Sequence, residues 1–339
     1  MTMTQTRRRF LTTLSLASAA GLVPAPPLHA EEPPPETTTL RIFDGPITCI
    51  APQLVARELL YGEGFTDVQY VTWGSQTRNW PPEVVLSGEV DITMSFIPSD
   101  LVQIDAGEPV VILAGIHTGC IELFGGNQVR STRELKGKTV AIHQLQSDEQ
   151  IFISMFAAYV GLDPQKDINW VVKDDRSSTV EGLAQGEIDA FMSGPPFSLE
   201  MREKKIGHVL VNTATDKPWS HYFCCVIAST REFVREHPVA TKRALRALLK
   251  ATDLCALEPE RTARLVVERE ATPRYDFVLQ GLKEDIPWGQ WREYDHEDAV
   301  RFNALKMREL GFIKSSPQKI IADGTDWRFL NELKRELKA

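Results

Sequence analysis

The sequence predicts an α/β protein built from two similar lobes. The chain has 339 residues, which suits two domains of roughly 100–200 residues each. A ten-residue motif occurs twice, and strand-like and helix-like stretches alternate along most of the chain. Such alternation predicts, in each lobe, a mainly parallel sheet flanked by helices that join its strands.

The repeated motif is the strongest of these observations. Residues 86–95 read LSGEVDITMS and residues 184–193 read AQGEIDAFMS, so at an offset of 98 residues five positions are identical and a sixth pairs Val90 with Ile188. Each copy predicts a helix that ends at glycine, a turn with acidic residues and a short apolar strand. We interpret the acidic residues as turn and capping groups rather than paired catalytic carboxylates: Glu89, Asp91, Glu187 and Asp189.

The same offset extends upstream of the motif. It aligns a strand at 40–46 with one at 139–145, and it brings a helix at 51–62 near one at 149–160. Each half therefore predicts strand, helix, strand, helix, strand. Further strands are predicted at 110–118, 120–126, 208–213 and 219–229, and the helices of a C-terminal extension are predicted from Thr230 onward.

These elements give predicted domain boundaries. Lobe one comprises residues 40–127 together with 219–339, including the helical extension, and lobe two comprises residues 128–218. The segment 219–229 is predicted to return the chain to lobe one. We expect the hinge at the crossings near 125–130 and 214–221.

The N-terminal 30 residues are typical of an export signal. Arg7-Arg8-Arg9 precede an apolar run that is too short to span a bilayer, and Ala30 is a small residue at the expected cleavage position. The series Thr6-Arg7-Arg8-Arg9-Phe10-Leu11 resembles a twin-arginine signal. We expect cleavage near Ala30, a flexible leader at 31–39 and a periplasmic location.

Charge and cysteine content exclude several classes of protein. Beyond residue 30, 35 basic residues stand against 46 acidic ones, and this balance argues against a nucleic-acid partner. The five cysteines have neither a disulfide pattern nor zinc-site spacing. We interpret them as buried small side chains. The side chains of the vicinal pair Cys224-Cys225 are expected on opposite faces of a strand.

Several stretches together resemble one family. They are LRIFDGPITCIAPQLVARELL (40–60), the LSGEVD element (86–91), LKGKTVAIHQLQSDEQIF (135–152), GEIDAFMSGPPF (186–197) and the helical run at 231–251. They resemble periplasmic substrate-binding proteins of ABC importers, of the nitrate/sulfonate/taurine type, a group that also takes in thiamine-pyrimidine-precursor binders.

The resemblance implies a type II periplasmic-binding-protein fold and a role in transport. An exported monomer would bind a small polar or anionic solute between its lobes, such as a sulfonate, nitrate or carboxylate. It would deliver that solute to an ABC transporter permease and ATPase complex. A pyrimidine-binding protein, or a related pyrimidine-synthase-like enzyme, stays an alternative, because HYFCCVI (221–227) partly matches the Cys-rich run of those synthases.

Ligands of open α/β sheets bind beyond the carboxyl ends of the strands. Helix N-termini behind those loops favour an anionic group without needing a lysine or arginine. The predicted ligand-binding residues are Thr48, Trp73, Ser75, Ser95, His143, Gln144, Ser147, Ser193, Phe197 and His221. Ser147 is also expected to cap the helix that follows it, and Arg78 and Arg176 are interpreted as solvated.

No motif in the chain indicates an enzyme. GxSxG, HExxH, P-loop and GxGxxG elements are missing from any supporting context. We therefore expect no catalytic residues, no metal and no cofactor.

Overall fold

The computed structural model describes residues 32–72, 81–173, 175–269 and 274–337. Within them the strands form two five-stranded sheets. The first sheet has the order β2-β1-β3-β10-β4, and its strands are β1 (Thr39–Asp44), β2 (Asp67–Thr72), β3 (Ile92–Phe96), β4 (Val110–Thr118) and β10 (Phe223–Thr230). β1 runs parallel to β2 and β3, whereas β10 is antiparallel to β3 and β4.

The second sheet repeats this arrangement. Its order is β7-β6-β8-β5-β9, and its strands are β5 (Glu122–Gly125), β6 (Lys138–Ile142), β7 (Ile168–Val172), β8 (Ala190–Ser193) and β9 (His208–Asn212). β6 is parallel to β7 and β8, and β5 is antiparallel to β8 and β9. The predicted fold class of two mainly parallel sheets is therefore confirmed.

Helices cover both sheets. The α-helices of the described residues are Ala51–Val55, Arg57–Gly62, Pro81–Leu86, Ile97–Asp105, Asp148–Tyr159, Arg176–Gln185, Phe197–Lys204, Arg231–Glu236, Pro238–Leu257, Pro259–Glu268, Tyr275–Gln280, His296–Glu309, Pro317–Gly324 and Arg328–Glu336. Short 3₁₀ turns occur at Thr48–Ile50, Thr132–Leu135, Trp219–His221 and Trp288–Arg292, and a π turn at Gly281–Asp285. None of the helices in the described ranges is long and apolar enough to cross a membrane.

The sequence repeat corresponds to a repeated set of contacts. The Asp91 carboxylate accepts a hydrogen bond from Arg41 N at 2.7 Å, and Asp91 N donates to Arg41 O at 2.9 Å. At the same offset, Asp189 accepts from Thr139 N at 2.9 Å and donates to Thr139 O at 2.7 Å. Each aspartate thus fixes the turn before the third strand to the first strand, which confirms its predicted role.

The C-terminal helices pack against β4 of the first sheet, in agreement with the prediction that they belong to lobe one. All nine residues of this strand are buried, as expected for a strand covered on both faces. His296 accepts a hydrogen bond from Gly115 N at 2.7 Å through Nδ1, and its Nε2 lies 2.8 Å from Trp291 O. Burial lowers the pKa of His296 to about 3, so the ring is neutral and supplies one donor and one acceptor.

The chain crosses between the sheets at positions that differ in part from the prediction. β5 pairs with β8 and β9, so the outward crossing lies between Thr118 and Glu122 rather than near 125–130. The return crossing lies between Asn212 and Phe223. The prediction placed 120–126 in lobe one because an apolar strand does not reveal its pairing partner.

The two crossings contact each other closely. Thr213 Oγ1 accepts hydrogen bonds from Cys120 N at 3.2 Å and Ile121 N at 3.0 Å. Thr213 N and Oγ1 both donate to Ile121 O, at 3.0 and 2.9 Å. Gly119 has φ of +32°, and a Cβ there would lie 2.2 Å from Thr213 O and from Ala214 N. Only glycine fits this approach of backbone to backbone.

We predict that Gly119→Ala destabilises the fold far more than Gly88→Ala. Both glycines have positive φ, but nothing lies within 4 Å of a Cβ at Gly88. Gly88→Ala should therefore lower the free energy of unfolding by only about 1–2 kcal/mol, because alanine is strained in a left-handed backbone. Gly119→Ala should lower it by roughly 1–3 kcal/mol more, because its Cβ also clashes with the backbone of the return crossing. Urea unfolding of both variants measures the difference. Equal losses would show that the crossings are not rigidly held.

Candidate ligand cleft

A cavity of about 70 Å³ lies between the two sheets. Lobe one contributes a largely apolar wall formed by Ile47, Cys49, Phe96, Cys120 and Ile121. These residues follow β1, end β3 or belong to the outward crossing. The cavity therefore lies at the carboxyl ends of the parallel strands, where the sequence predicted it.

Lobe two contributes the polar wall, which comes mainly from loops and helix starts after β6, β7 and β8. Its polar and aromatic members are His143, Asp148, Glu149, Arg176, Ser193 and Phe197. Nδ1 of His143 lies 2.7 Å from Glu149 Oε2, which also accepts from His143 N at 2.8 Å. This bonding orients the imidazole beside the cavity.

Arg176 is the one arginine or lysine among the described residues of the cavity wall. Its helix begins beyond the N-cap Asp175, whose carboxylate accepts from Ser178 N. The Arg176 guanidinium lies 3.6 Å from the centre of the Phe197 ring, a cation–π arrangement that orients it. The residue keeps contact with solvent, so an incoming anion can reach the charge.

Asp148 links the two lobes beside the cavity. Its carboxylate accepts hydrogen bonds from Ser99 N at 2.9 Å and Ser99 Oγ at 2.5 Å. Ser99 belongs to the first turn of the helix Ile97–Asp105 in lobe one. Burial raises the pKa of the Asp148 carboxyl to about 7, although the bonds from Ser99 act in the opposite direction.

Two further contacts close the lobes on each other. Thr48 N donates a hydrogen bond to Pro195 O at 3.2 Å. The Arg202 guanidinium, on a helix of lobe two, forms an ion pair with Asp285 of the C-terminal part at 2.6 Å. The structure is therefore a closed form in which both lobes enclose the cavity.

The cavity brings together three of the predicted site residues: His143, Ser193 and Phe197. Ser95 lines a smaller adjoining pocket of about 10 Å³ and donates to Asp100 Oδ2 at 2.5 Å. Thr48 lies at the contact between the lobes and is fully buried. Trp73 and Ser75 fall outside the described residues.

The structure places the remaining predicted residues elsewhere. Gln144 and Ser147 line an outer groove of about 220 Å³ beside the cavity. Ser147 caps the helix Asp148–Tyr159 by accepting from Gln150 N at 3.3 Å, as predicted. His221 is exposed and lies near Tyr294, with ring centres 6.3 Å apart. It does not line the cavity, because the 3₁₀ turn at Trp219–His221 precedes β10 on the outside of the crossing.

Arg176 and Asp148 are not among the predicted ligand-binding residues, although both belong to the strand-end loops His143–Asp148 and Asp174–Ser178 that the sequence predicts at the cleft. Arg176 is exposed, in agreement with its predicted contact with solvent, and it also lines the cavity. Asp148 resembles an ordinary first-turn acid after a Ser N-cap, and its link to Ser99 across 49 positions depends on closure of the lobes. One signal was available: both residues begin the helix that follows a parallel strand.

The cysteines are all buried, as predicted, but the vicinal pair does not point to opposite faces. Sγ atoms of Cys224 and Cys225 lie 3.7 Å apart. The pairing of β10 with β4 shifts register on both sides of Cys225. Such an irregularity interrupts the alternation of a strand, so both thiols turn toward Cys120.

We predict that Asp148→Asn reduces the pH dependence of stability. Because the pKa of Asp148 is raised in the fold, the fold binds this proton more tightly than the unfolded chain does. The resulting stabilisation is complete below about pH 4 and is lost as the pH rises through about 7. Asparagine cannot ionise. Between pH 5 and 8 the free energy of unfolding of the wild type should therefore fall by on the order of 2 kcal/mol more than that of the variant.

Urea unfolding at several pH values measures this difference. Asp163→Asn is the control, because Asp163 is exposed and its contact with Lys166 lowers its pKa, away from that range. Parallel pH profiles for the wild type and Asp148→Asn would contradict the assignment.

Comparisons with known proteins agree with this geometry. A model of the NMT1-like family matches residues 33–269. The bicarbonate-binding protein CmpA of Synechococcus elongatus is 27% identical over 109 residues, which are 32% of this chain and 24% of that protein. The match thus spans about a quarter of the length of this curated relative.

Solved structures resemble the whole fold. The periplasmic nitrate-binding protein NrtA from Synechocystis PCC 6803 has a TM-score of 0.74 at 18% identity, with 90% of each chain covered. The alkanesulfonate-binding protein SsuA from Xanthomonas axonopodis pv. citri, bound to MOPS, has a TM-score of 0.67 at 15% identity, covering 88% of this chain and 100% of that one. The resemblance found in the sequence is confirmed: the chain belongs to the NMT1-like family and has the fold of the periplasmic binding proteins of ABC importers.

Proposed function

We propose that the protein is an exported solute-binding protein that captures a small oxyanion and delivers it to an ABC permease. The observation that carries this proposal is the cavity of about 70 Å³, closed between two lobes, with Arg176 at its polar wall. One guanidinium, an imidazole and the serine hydroxyl of Ser193 supply hydrogen-bond donors for oxygen atoms.

The cavity favours a particular size of ligand. One water molecule needs roughly 10–15 Å³ of such a cavity, so a cavity of about 70 Å³ has room for about five water molecules. An anion of four or five non-hydrogen atoms, such as nitrate, bicarbonate or methanesulfonate, matches this space. The names of NrtA, CmpA and SsuA indicate nitrate, bicarbonate and alkanesulfonate as their ligands, and these are all oxyanions.

Capture would follow from closure. The ligand contacts both lobes only when they are closed, so binding shifts the population toward the closed form by the difference in affinity between the two forms. The contacts of Ser99 with Asp148 and of Thr48 with Pro195 add to the stability of that form. The closed monomer then presents both lobe surfaces to the permease, and no catalytic residue is required.

We predict that Arg176→Gln weakens anion binding at least tenfold, equivalent to about 1.4 kcal/mol, because the cavity loses its cation. Thermal shift and calorimetry with sodium nitrate, bicarbonate and methanesulfonate measure this, with chloride at equal ionic strength as reference. The buffer is Tris, because sulfonate buffers are themselves candidate ligands. Wild-type protein should melt at a higher temperature with at least one oxyanion, by mass action.

Arg235→Gln is the matched control, because Arg235 is exposed and pairs with Glu236 on a surface helix; its binding should equal that of the wild type. Arg176→Lys should retain part of the affinity. If a neutral pyrimidine raised the melting temperature and none of the oxyanions did, the oxyanion proposal would be wrong and the pyrimidine-binding alternative would be supported. Unchanged affinity in Arg176→Gln would refute the role of that cation.

The proposed export also has a test. Replacing Arg7, Arg8 and Arg9 by lysine keeps the positive charge that general signal peptides need but removes the paired arginines. We predict that the full-length protein then stays in the cytoplasm as an unprocessed chain, measured by fractionation and mass spectrometry. Undiminished export of the lysine variant would indicate a general secretory signal instead.

A further inference from the structure

Four buried side chains with metal-binding atoms meet where the chain crosses between the lobes. His117 lies near the end of β4, Cys120 lies in the outward crossing, and Cys224 and Cys225 lie at the start of β10. Their ligand atoms all lie within 4.8 Å of one another, and all four residues are buried. The proposed function uses none of these thiols as a ligand donor.

The spacing of the atoms matches a tetrahedral site. Sγ of Cys120 lies 3.4 Å from Sγ of Cys224 and 4.0 Å from Sγ of Cys225, and the Sγ atoms of Cys224 and Cys225 are 3.7 Å apart. A tetrahedron of thiolates around zinc, with bonds of about 2.3 Å, has edges of about 3.8 Å. Nδ1 of His117 lies 3.7 Å from Sγ of Cys224, close to the sulfur–nitrogen edge of the same figure.

The imidazole of His117 can coordinate a metal in one of its two tautomers. Nε2 lies 3.2 Å from Cys49 O, and Nδ1 lies 3.2 Å from Thr118 O. In the tautomer that donates from Nε2 to Cys49 O, the lone pair of Nδ1 is available, and a bound metal would replace the contact of Nδ1 with Thr118 O. A histidine ligand is commonly oriented by such a bond from its other nitrogen to a carbonyl oxygen.

All three cysteines of the cluster are free thiols. Metals bind cysteine as the thiolate, so an ion bound here would displace the thiol protons. The sulfur atoms are too far apart to be disulfide-bonded, because such a bond is about 2.05 Å long.

We propose that His117, Cys120, Cys224 and Cys225 bind one zinc ion in a tetrahedral site of three thiolates and one imidazole. This donor set is one of the common structural zinc sites. The ion would tie the outward crossing to β4 and β10 directly behind the ligand cavity, since Cys120 also lines that cavity. The inference stands independently of the solute that the cavity binds.

Cobalt titration of the full chain tests the site. The protein is reduced, freed of metal with a chelator and titrated anaerobically with Co²⁺, which gives a thiolate-to-cobalt charge-transfer band and intense visible bands when four-coordinate. We expect saturation at one ion per chain and loss of the bands on addition of one equivalent of Zn²⁺. Absence of a tetrahedral spectrum in the reduced wild type would refute the proposal without any variant.

Variants identify the ligands. Cys120→Ser and Cys224→Ser should each weaken cobalt binding at least tenfold, whereas Cys255→Ser should bind as the wild type does. Cys255 is a suitable control because it is also fully buried, on the helix Pro238–Leu257 and outside the cluster. An unchanged spectrum in Cys120→Ser and Cys224→Ser would place the metal elsewhere and overturn the assignment.

A structural metal should also change stability. Zinc should raise the melting temperature of the reduced wild type and of Cys255→Ser, and should leave Cys224→Ser unaffected. Equal zinc effects in all three would contradict the site.

Discussion

The fold depends on the close contact between its two crossings. Thr213 holds the outward segment through both its backbone and its hydroxyl, and Gly119 lets the backbones approach to a distance that excludes a side chain. The two crossings lie side by side. The chain therefore enters the second sheet through the antiparallel strand β5 and returns to the first sheet through the antiparallel strand β10. The parallel strands of both sheets then end toward the same cleft, and the loops after them enclose it.

Burial of carboxyl groups beside this cleft gives the closed form its chemical character. Asp100 on one side and Asp148 on the other both have raised pKa values, because burial disfavours the charged form. Each keeps hydrogen bonds, with Ser95 and with Ser99. The raised pKa values reduce the negative charge that these two carboxyl groups place near the cavity, and Glu149 in the wall is paired with His143. Arg176 can therefore supply local positive charge in a protein whose overall balance is acidic.

The parts predicted correctly from the sequence rest on local rules. A glycine that ends a helix, an acid that fixes a turn and a serine that caps a helix need only their neighbours along the chain, and the contacts of Asp91, Asp189 and Ser147 follow those rules. The incorrect parts depend on distant partners. The segment of β5 is strand-like in either sheet, and only its pairing with β8 and β9 assigns it to the second one.

The sequence by itself therefore determined the duplicated architecture, the family and three members of the cavity wall, His143, Ser193 and Phe197, because strand-end loops of a parallel sheet converge on one edge. Tertiary structure decided which other residues joined them. Cys120 and Cys224 lie 104 positions apart along the chain, and Asp148 and Ser99 lie 49 positions apart. A strand irregularity turned both vicinal thiols to one side. No periodicity in one chain encodes such juxtapositions, since they arise from packing between elements that are not sequence neighbours.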